Sequence, residues 1–243
     1  MTQTAAQSAT GFGRYHFLLR RLHSLTGIVP VGVFVIFHLL TNFQLLTGTF
    51  EREVHWIHTT LPVLEVMEVS IWLGIGFHAV LGLYYTFVGT RFVEPHYRYL
   101  ANWRYTLQRI TGIIALVFIF LHIWTLRWRL PIFGWYTPFD PANATATTAY
   151  ALQFAWWVVV LYLVGALCVV YHWANGLWTA AITWGLTISE AAMKRWGRIC
   201  LAIGLILAVF AIGSVVGALR YELTDADRAL IQQIEEDGVS HQN

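Results

Sequence analysis

The chain has 243 residues, 57% hydrophobic and 12% charged, with a mean hydropathy of +0.57; soluble domains carry about 25% charged residues, so this composition is that of a membrane protein. A net charge of +2, scattered at the ends of apolar runs rather than along one face, excludes nucleic acid as a partner. Cys168 and Cys200 lie inside apolar stretches without CxxC spacing, which excludes a disulfide framework, a zinc role and the attachment motif of a c-type haem.

Met1–Thr10 are polar, and the first 19 residues lack the apolar core of a cleavable signal peptide. Crossing ~30 Å of hydrocarbon takes roughly 20 helical residues. Five apolar runs meet that requirement, at 22–47, 63–90, 106–130, 150–186 and 197–220. The expected fold is therefore all-α and integral to the membrane: a five-transmembrane-helix bundle within residues 1–220, followed by a polar, acidic tail at 221–243. The fourth run is longer than a bilayer needs and should tilt or project, with Trp156, Trp157, Trp173, Trp178 and Trp184 among its interface anchors. In the tail, Thr224–Glu236 reads as a short capped helix lying on the surface.

Charge sets the orientation. The N-terminus and the second and fourth connections hold Arg14, Arg20, Arg21, Arg91, Arg98, Arg104, Arg109, Lys194, Arg195 and Arg198, ten of the fifteen basic residues, and belong on the cytoplasmic side. The opposite face receives Glu51, Glu53, Asp140 and the acidic stretch from Glu222 to Asp237. The N-terminus is thus expected inside and the C-terminus outside.

Two echoes run through the helices. Phe77–Tyr84 reads FHAVLGLY and Tyr171–Trp178 reads YHWANGLW, each with a glycine four residues after its histidine. On a helix that glycine lies one turn from the imidazole on the same face, leaving room for a flat ligand. The second echo pairs Arg21, Thr26-Gly27 and His38 with Arg109, Thr111-Gly112 and His122. At 1.5 Å per residue, His38 and His122 each lie roughly 21 Å from the cytoplasmic end, whereas His78 and His172, on helices running inward, reach the inner half. His38 should meet His122 near the outer face, and His78 should meet His172 near the inner face.

Four neutral imidazoles in two pairs, with no carboxylate or thiolate at matching depth, make a poor cage for zinc or a hard cation. They suit haem iron, since bis-histidine ligation of b-type haem fills both axial positions. Gly74, Gly82 and Gly176 would leave space for a porphyrin edge, or simply let helices approach closely. The cluster Arg20, Arg21, His23 and Ser24 could hold propionates, seat a cytoplasmic partner or serve as an ordinary positive-inside anchor. Arg109 and Arg127 are further propionate candidates with the same alternative. His16, His55, His58, His96 and His241 sit at or beyond helix ends and read as solvated.

Four motifs in order carry a resemblance over about residues 15–220: Arg20-Arg21-Leu22-His23-Ser24-Leu25-Thr26-Gly27, then Pro30-Val31-Gly32, then Leu107-Gln108-Arg109-Ile110-Thr111-Gly112, and His172 with Asn175-Gly176-Leu177-Trp178. Together they are similar to the five-helix dihaem cytochrome b membrane-anchor subunit of succinate:quinone oxidoreductases (succinate dehydrogenase and fumarate reductase). The resemblance implies two haems b, with axial ligands falling on His38, His78, His122 and His172. It also implies a flavoprotein subunit and an iron–sulfur subunit docked on the cytoplasmic side of a bacterial-type cell membrane, and a quinone substrate, with menaquinone favoured. The physiological direction does not follow from the sequence.

Glu65 and Glu68 lie at the outer end of the second helix, where an unpaired carboxylate is costly unless it faces water or a polar cavity. Two-electron, two-proton quinone chemistry needs such a group, and the resemblance supports Glu68, against the alternative that both simply complement a helix N-terminus. His55, Asn42, Gln44 and Trp124 could line the same pocket, and a second pocket beside Arg20–Ser24 is a further candidate. The chain has no flavin fingerprint or cysteine cluster, so it carries the quinone half-reaction but does not oxidise succinate itself. Two other readings fit the histidines: a dihaem cytochrome b serving a hydrogenase or formate dehydrogenase, or a haem-free transporter relaying protons.

Overall fold

The computed structural model describes residues 11–60, 64–88, 100–135 and 137–240. Met1–Thr10, the connection carrying Arg91, His96 and Arg98, and His241 lie outside the described residues. The helices are α1 (Gly11–Ile28), α2 (Val31–Thr47), α3 (Phe50–Thr60), α4 (Leu64–Val88), α5 (Leu100–Leu126), α6 (Ala144–Gln153), α7 (Trp156–Thr183), α8 (Glu190–Arg220) and α9 (Asp225–Ser240). Five stretches are long and apolar enough to cross a membrane: Tyr15–Thr47, Leu64–Val88, Asn102–Leu126, Trp156–Thr183 and Glu190–Arg220. Phe37, Leu73, Val80 and Leu201 are more than 60% exposed on their flanks, as lipid-facing side chains must be.

The first stretch joins α1 to α2 through Pro30, which has no N–H to give to the helix ladder. Its ring rests on α4 at Gly74, where a Cβ would come within 3.0 Å of the ring carbons. Helix α8 packs against α2 and α7, and α5 packs against α7. Close approach of α8 to α2 needs Gly213 and Gly217, whose Cβ positions are taken by the Phe43 ring and by the backbone of Leu45 and Leu46. Helix α4 is different: it leans on α1 and touches α2 and α5 only lightly.

Several helix bounds depart from the apolar runs. The helical chain starts well before residue 22, α5 begins before 106 and ends before 130, and α8 begins at Glu190 rather than 197. The last of these is a cap: Ser189 Oγ accepts from Ala192 N at 3.2 Å and extends the helix beyond its apolar part. The run expected at 150–186 is two helices broken at Ala155, whose backbone is extended (φ −160°, ψ 155°). Trp135 braces this corner, its buried indole N–H donating to Ala151 O at 3.0 Å in the last turn of α6. Gln153 ties the same corner to the end of α8 by donating to Ala218 O at 2.8 Å and Tyr221 O at 2.9 Å.

The expected tail helix is α9. Thr224 Oγ1 accepts from Asp227 N at 3.1 Å while Asp227 Oδ2 accepts from Thr224 N at 2.9 Å, a reciprocal capping box, and Ile231 is buried. The Thr224 backbone N–H holds the Asp227 carboxyl below its usual range. A depressed folded-state pKa contributes stability that is fully present above the unfolded value of about 3.9 and is lost as pH falls through the folded value. We expect Thr224→Ala to cost the first turn of α9 about 1 kcal/mol, read as roughly fivefold faster amide exchange there at neutral pH. In the native chain the same amides should loosen only under strongly acid conditions; exchange indifferent to both changes would show that the box does not hold the helix.

Candidate functional site

Two levels of the bundle carry the histidines. At the near end, where α1 begins, the His78 and His172 rings face each other with centroids 6.0 Å apart and planes at 88°. Closer to the far end, where α9 lies, the His38 and His122 rings are 5.8 Å apart with planes at 81°. These are the pairs expected from depth. The levels are separated along α5 by the 14 residues from Gln108 to His122, roughly 21 Å.

The near-level pair is held by the backbone of the neighbouring helices. His78 Nδ1 lies 2.8 Å from His23 O on α1, and His172 Nδ1 lies 2.9 Å from Gln108 O on α5. Four residues after each carbonyl comes a glycine: a Cβ on Gly27 would lie 2.5 Å from His78 Cε1, and one on Gly112 would lie 2.8 Å from His172 Cε1. The fit is reciprocal. Gly82, one turn past His78, faces His23 Cε1 at 3.2 Å, and Gly176, one turn past His172, faces Gln108 Nε2 at 3.6 Å. His23 stacks on His78 at 4.0 Å, nearly parallel. On the α5 side Gln108 Nε2 donates to His172 O at 3.0 Å and lies 3.5 Å from His172 Nε2. Gln108 is held by buried Asn175 at 2.7 Å, which in turn accepts from Arg104 Nε at 2.8 Å, the guanidinium of Arg104 lying 3.7 Å over Trp178.

The far-level pair has other supports. His122 Nδ1 is 3.2 Å from the hydroxyl of Tyr162 on α7, and Phe34 stacks on His38 at 5.0 Å. Phe118 packs against both His122 and Tyr162.

The donor set fits iron porphyrin. Two imidazoles bound to one metal at about 2 Å per nitrogen have centroids roughly 6 Å apart, the spacing of both couples. Nδ1 hydrogen bonds to carbonyls fix the tautomer that leaves Nε2 as the ligating lone pair. Arg21 Nε, His23 Nδ1 and the Tyr85 hydroxyl are buried without a hydrogen-bond partner. Arg21 Nε–H, the Tyr85 hydroxyl and a protonated His23 Nδ1 are donors of the kind a propionate carboxylate satisfies.

The remaining sequence candidates divide between the two ends. Arg20 lies 5.6 Å over the Tyr85 ring, Arg109 donates to Tyr85 O at 3.2 Å, and Ser24 accepts from Trp184 Nε1 at 2.9 Å, so all three belong to the near-end cluster with Arg21 and His23. Gly74 packs on Pro30 instead of beside a histidine. At the far end Glu68 and Arg127, expected to serve different ligands, are paired with each other: Arg127 Nε donates to Glu68 Oε1 at 2.9 Å. Trp72 Nε1 also reaches Glu68 at 3.4 Å, Trp72 stacks on Trp128 at 6.0 Å, and Trp128 meets Trp124, whose own buried N–H has no partner. Glu65 and His55 are exposed, Asn42 donates to His38 O at 2.7 Å, and Gln44 accepts from Thr49 at 2.5 Å. Tyr85, Trp72, Trp128 and Tyr162 were not singled out in the sequence. Only Trp72 carried a local signal, one helical turn from Glu68.

No family model matches the chain. It is 36% identical over 185 residues to the succinate dehydrogenase cytochrome b558 subunit of Bacillus subtilis (strain 168), an overlap of 75% of this chain and 87% of that protein. Identity of that extent, on a bundle that brings the four histidines together in pairs, shows that the chain belongs to the cytochrome b membrane-anchor subunits of succinate dehydrogenase.

Proposed function

We propose that this anchor binds two haems b, one between His78 and His172 and one between His38 and His122, and carries electrons from an iron–sulfur partner to a quinone. The observation that carries this is the pair of imidazole couples, each at the spacing of a shared metal ion, stacked at two depths of one apolar bundle. Haem held between two imidazoles would supply one-electron transfer rather than oxygen chemistry. The chain supplies the rest. His23 O and Gln108 O hold the near imidazoles, and Tyr162 holds His122. Arg20, Arg21, His23, Ser24, Arg109 and Tyr85 form the polar mouth at the near end. The basic residues favour placing that end at the cytoplasm, with the N-terminus inside and the iron–sulfur and flavoprotein subunits docked there.

Quinone, with menaquinone favoured, is assigned to the far end. Glu68 is the group that takes or returns the substrate's proton at a carboxylate oxygen. In the resting chain Arg127 and Trp72 hold that carboxylate in place, and the unpartnered N–H of Trp124 belongs to the same aromatic cluster. An exposed ion pair contributes only about 0–1 kcal/mol to stability, so loss of the Glu68 charge should leave the fold intact.

Redox spectra of the purified complex test the ligand assignment: His78→Leu or His172→Leu should remove one b-type signal and His38→Leu or His122→Leu the other. If either couple's loss leaves both signals, the pairing is wrong. Succinate should reduce the haems of the native complex, whereas reduction only by hydrogen or formate would place the chain with a different dehydrogenase. Glu68→Gln should lower succinate:quinone turnover at least tenfold with both haem spectra retained, and unchanged turnover would remove Glu68 from the quinone site.

A further inference from the structure

The two near-level histidines are held by the same device, built twice. On α1 it runs His23, then Gly27; on α5 it runs Gln108, then Gly112, and in each case a histidine of a facing helix lays its Cε1–Nδ1 edge on that turn. In an α-helix the carbonyl four residues back already accepts the glycine's own N–H. A carbonyl has a second lone pair, and the imidazole Nδ1 reaches it only if nothing projects from the residue one turn on. The distances leave no tolerance. A Cβ on Gly27 would stand 2.5 Å from His78 Cε1 and 2.8 Å from Nδ1, and one on Gly112 would stand 2.8 Å from His172 Cε1 and 3.0 Å from Nδ1. A single methyl group would push either ring off its carbonyl.

We infer that Gly27 and Gly112 are positioning residues for the near-level haem: their missing side chains let the His78 and His172 rings dock on backbone carbonyls that fix the ligating tautomer and ring angle. This rests on the reading of His78 and His172 as haem ligands. It assigns the Thr-Gly echo of α1 and α5 a role that spacing alone does not disclose. A hydrogen bond from Nδ1–H to a carbonyl also makes the opposite nitrogen a stronger donor. Moving the ring therefore changes the electronic signature of the haem as well as its occupancy. Helix packing in general would not be selective in this way, since the far-level histidines contact neither glycine.

The test uses the intact complex carrying Gly27→Ala or Gly112→Ala, with Gly76→Ala as control, because a Cβ at Gly76 meets nothing within 4 Å. Low-spin electron paramagnetic resonance and redox-difference spectra report each haem separately, the near-level signal being identified by its absence in a His78→Leu variant. Either alanine variant should lower the near-level haem's occupancy at least twofold, or shift its largest g-value and midpoint potential, while the far-level signal stays at native intensity. The Gly76 variant should match the native complex. Native signals from both haems in both alanine variants would overturn the inference, and so would loss of both haems together, which would mark a packing defect. A native complex with no b-type signal at all would instead overturn the haem reading itself, so the two failures are distinguishable.

Discussion

The bundle depends on how it houses imidazoles in an apolar medium. An unpaired polar group buried away from water costs about 1–3 kcal/mol, and each histidine of the near-level couple presents two ring nitrogens. One of each is satisfied by a backbone carbonyl, at 2.8 Å for His78 and 2.9 Å for His172. Backbone is a partner that side-chain motion cannot withdraw. It fixes the rings relative to the helix axes of α1 and α5, so the orientation of these two side chains becomes a property of the scaffold. The cost is steric, and it falls on Gly27 and Gly112.

The two levels are built differently. At the near level the clasp is reciprocal, with His23 and Gln108 resting on Gly82 and Gly176 while His78 and His172 rest on Gly27 and Gly112. That symmetry relates α1 and α4 to α5 and α7. At the far level a side chain, the Tyr162 hydroxyl, supports His122 at 3.2 Å, and aromatic rings enclose the couple. A buried network also reaches the near level from the bundle's mouth, running from Arg104 through Asn175 and Gln108 to His172. The far level has no comparable network among the described residues; its polar groups gather one turn beyond His122, at Arg127 and Glu68.

Depth and spacing made much of this legible in the sequence. Pairing of the histidines followed from counting residues along antiparallel helices, because a helix converts residue number into distance at a fixed rate. The glycine echoes were visible as well, but which atoms they admit was not. Gly82 and Gly176 read as room for a porphyrin edge before close helix approach, whereas the structure sets the side chains of His23 and Gln108 over them. What a missing Cβ faces depends on the neighbouring helix, which no local pattern encodes. The break at Ala155 was no more legible: nothing between Tyr150 and Trp156 is a helix breaker, and the corner is braced from a distance, by Trp135 on Ala151 O and by Gln153 on the end of α8. The Glu68–Arg127 pair spans 59 residues and was likewise beyond local reading.

Helix α4 shows what these contacts accomplish together. It lies lightly on α2 and α5, so broad packing against them does not hold it. It is instead fastened at separate heights. Near the mouth, His78 is tied to the α1 backbone; higher up, Gly74 accepts the Pro30 ring; at the far end, Glu68 is tied to Arg127. The first two contacts fix α4 against the α1–α2 junction, which sets its distance from the bundle axis. The third is exposed and worth little as stabilisation, but it joins the outer end of α4 to the segment that follows α5. Three contacts at three heights thus fix α4 against α1, α2 and α5, and the lowest of them is the same hydrogen bond that orients the His78 ring toward His172.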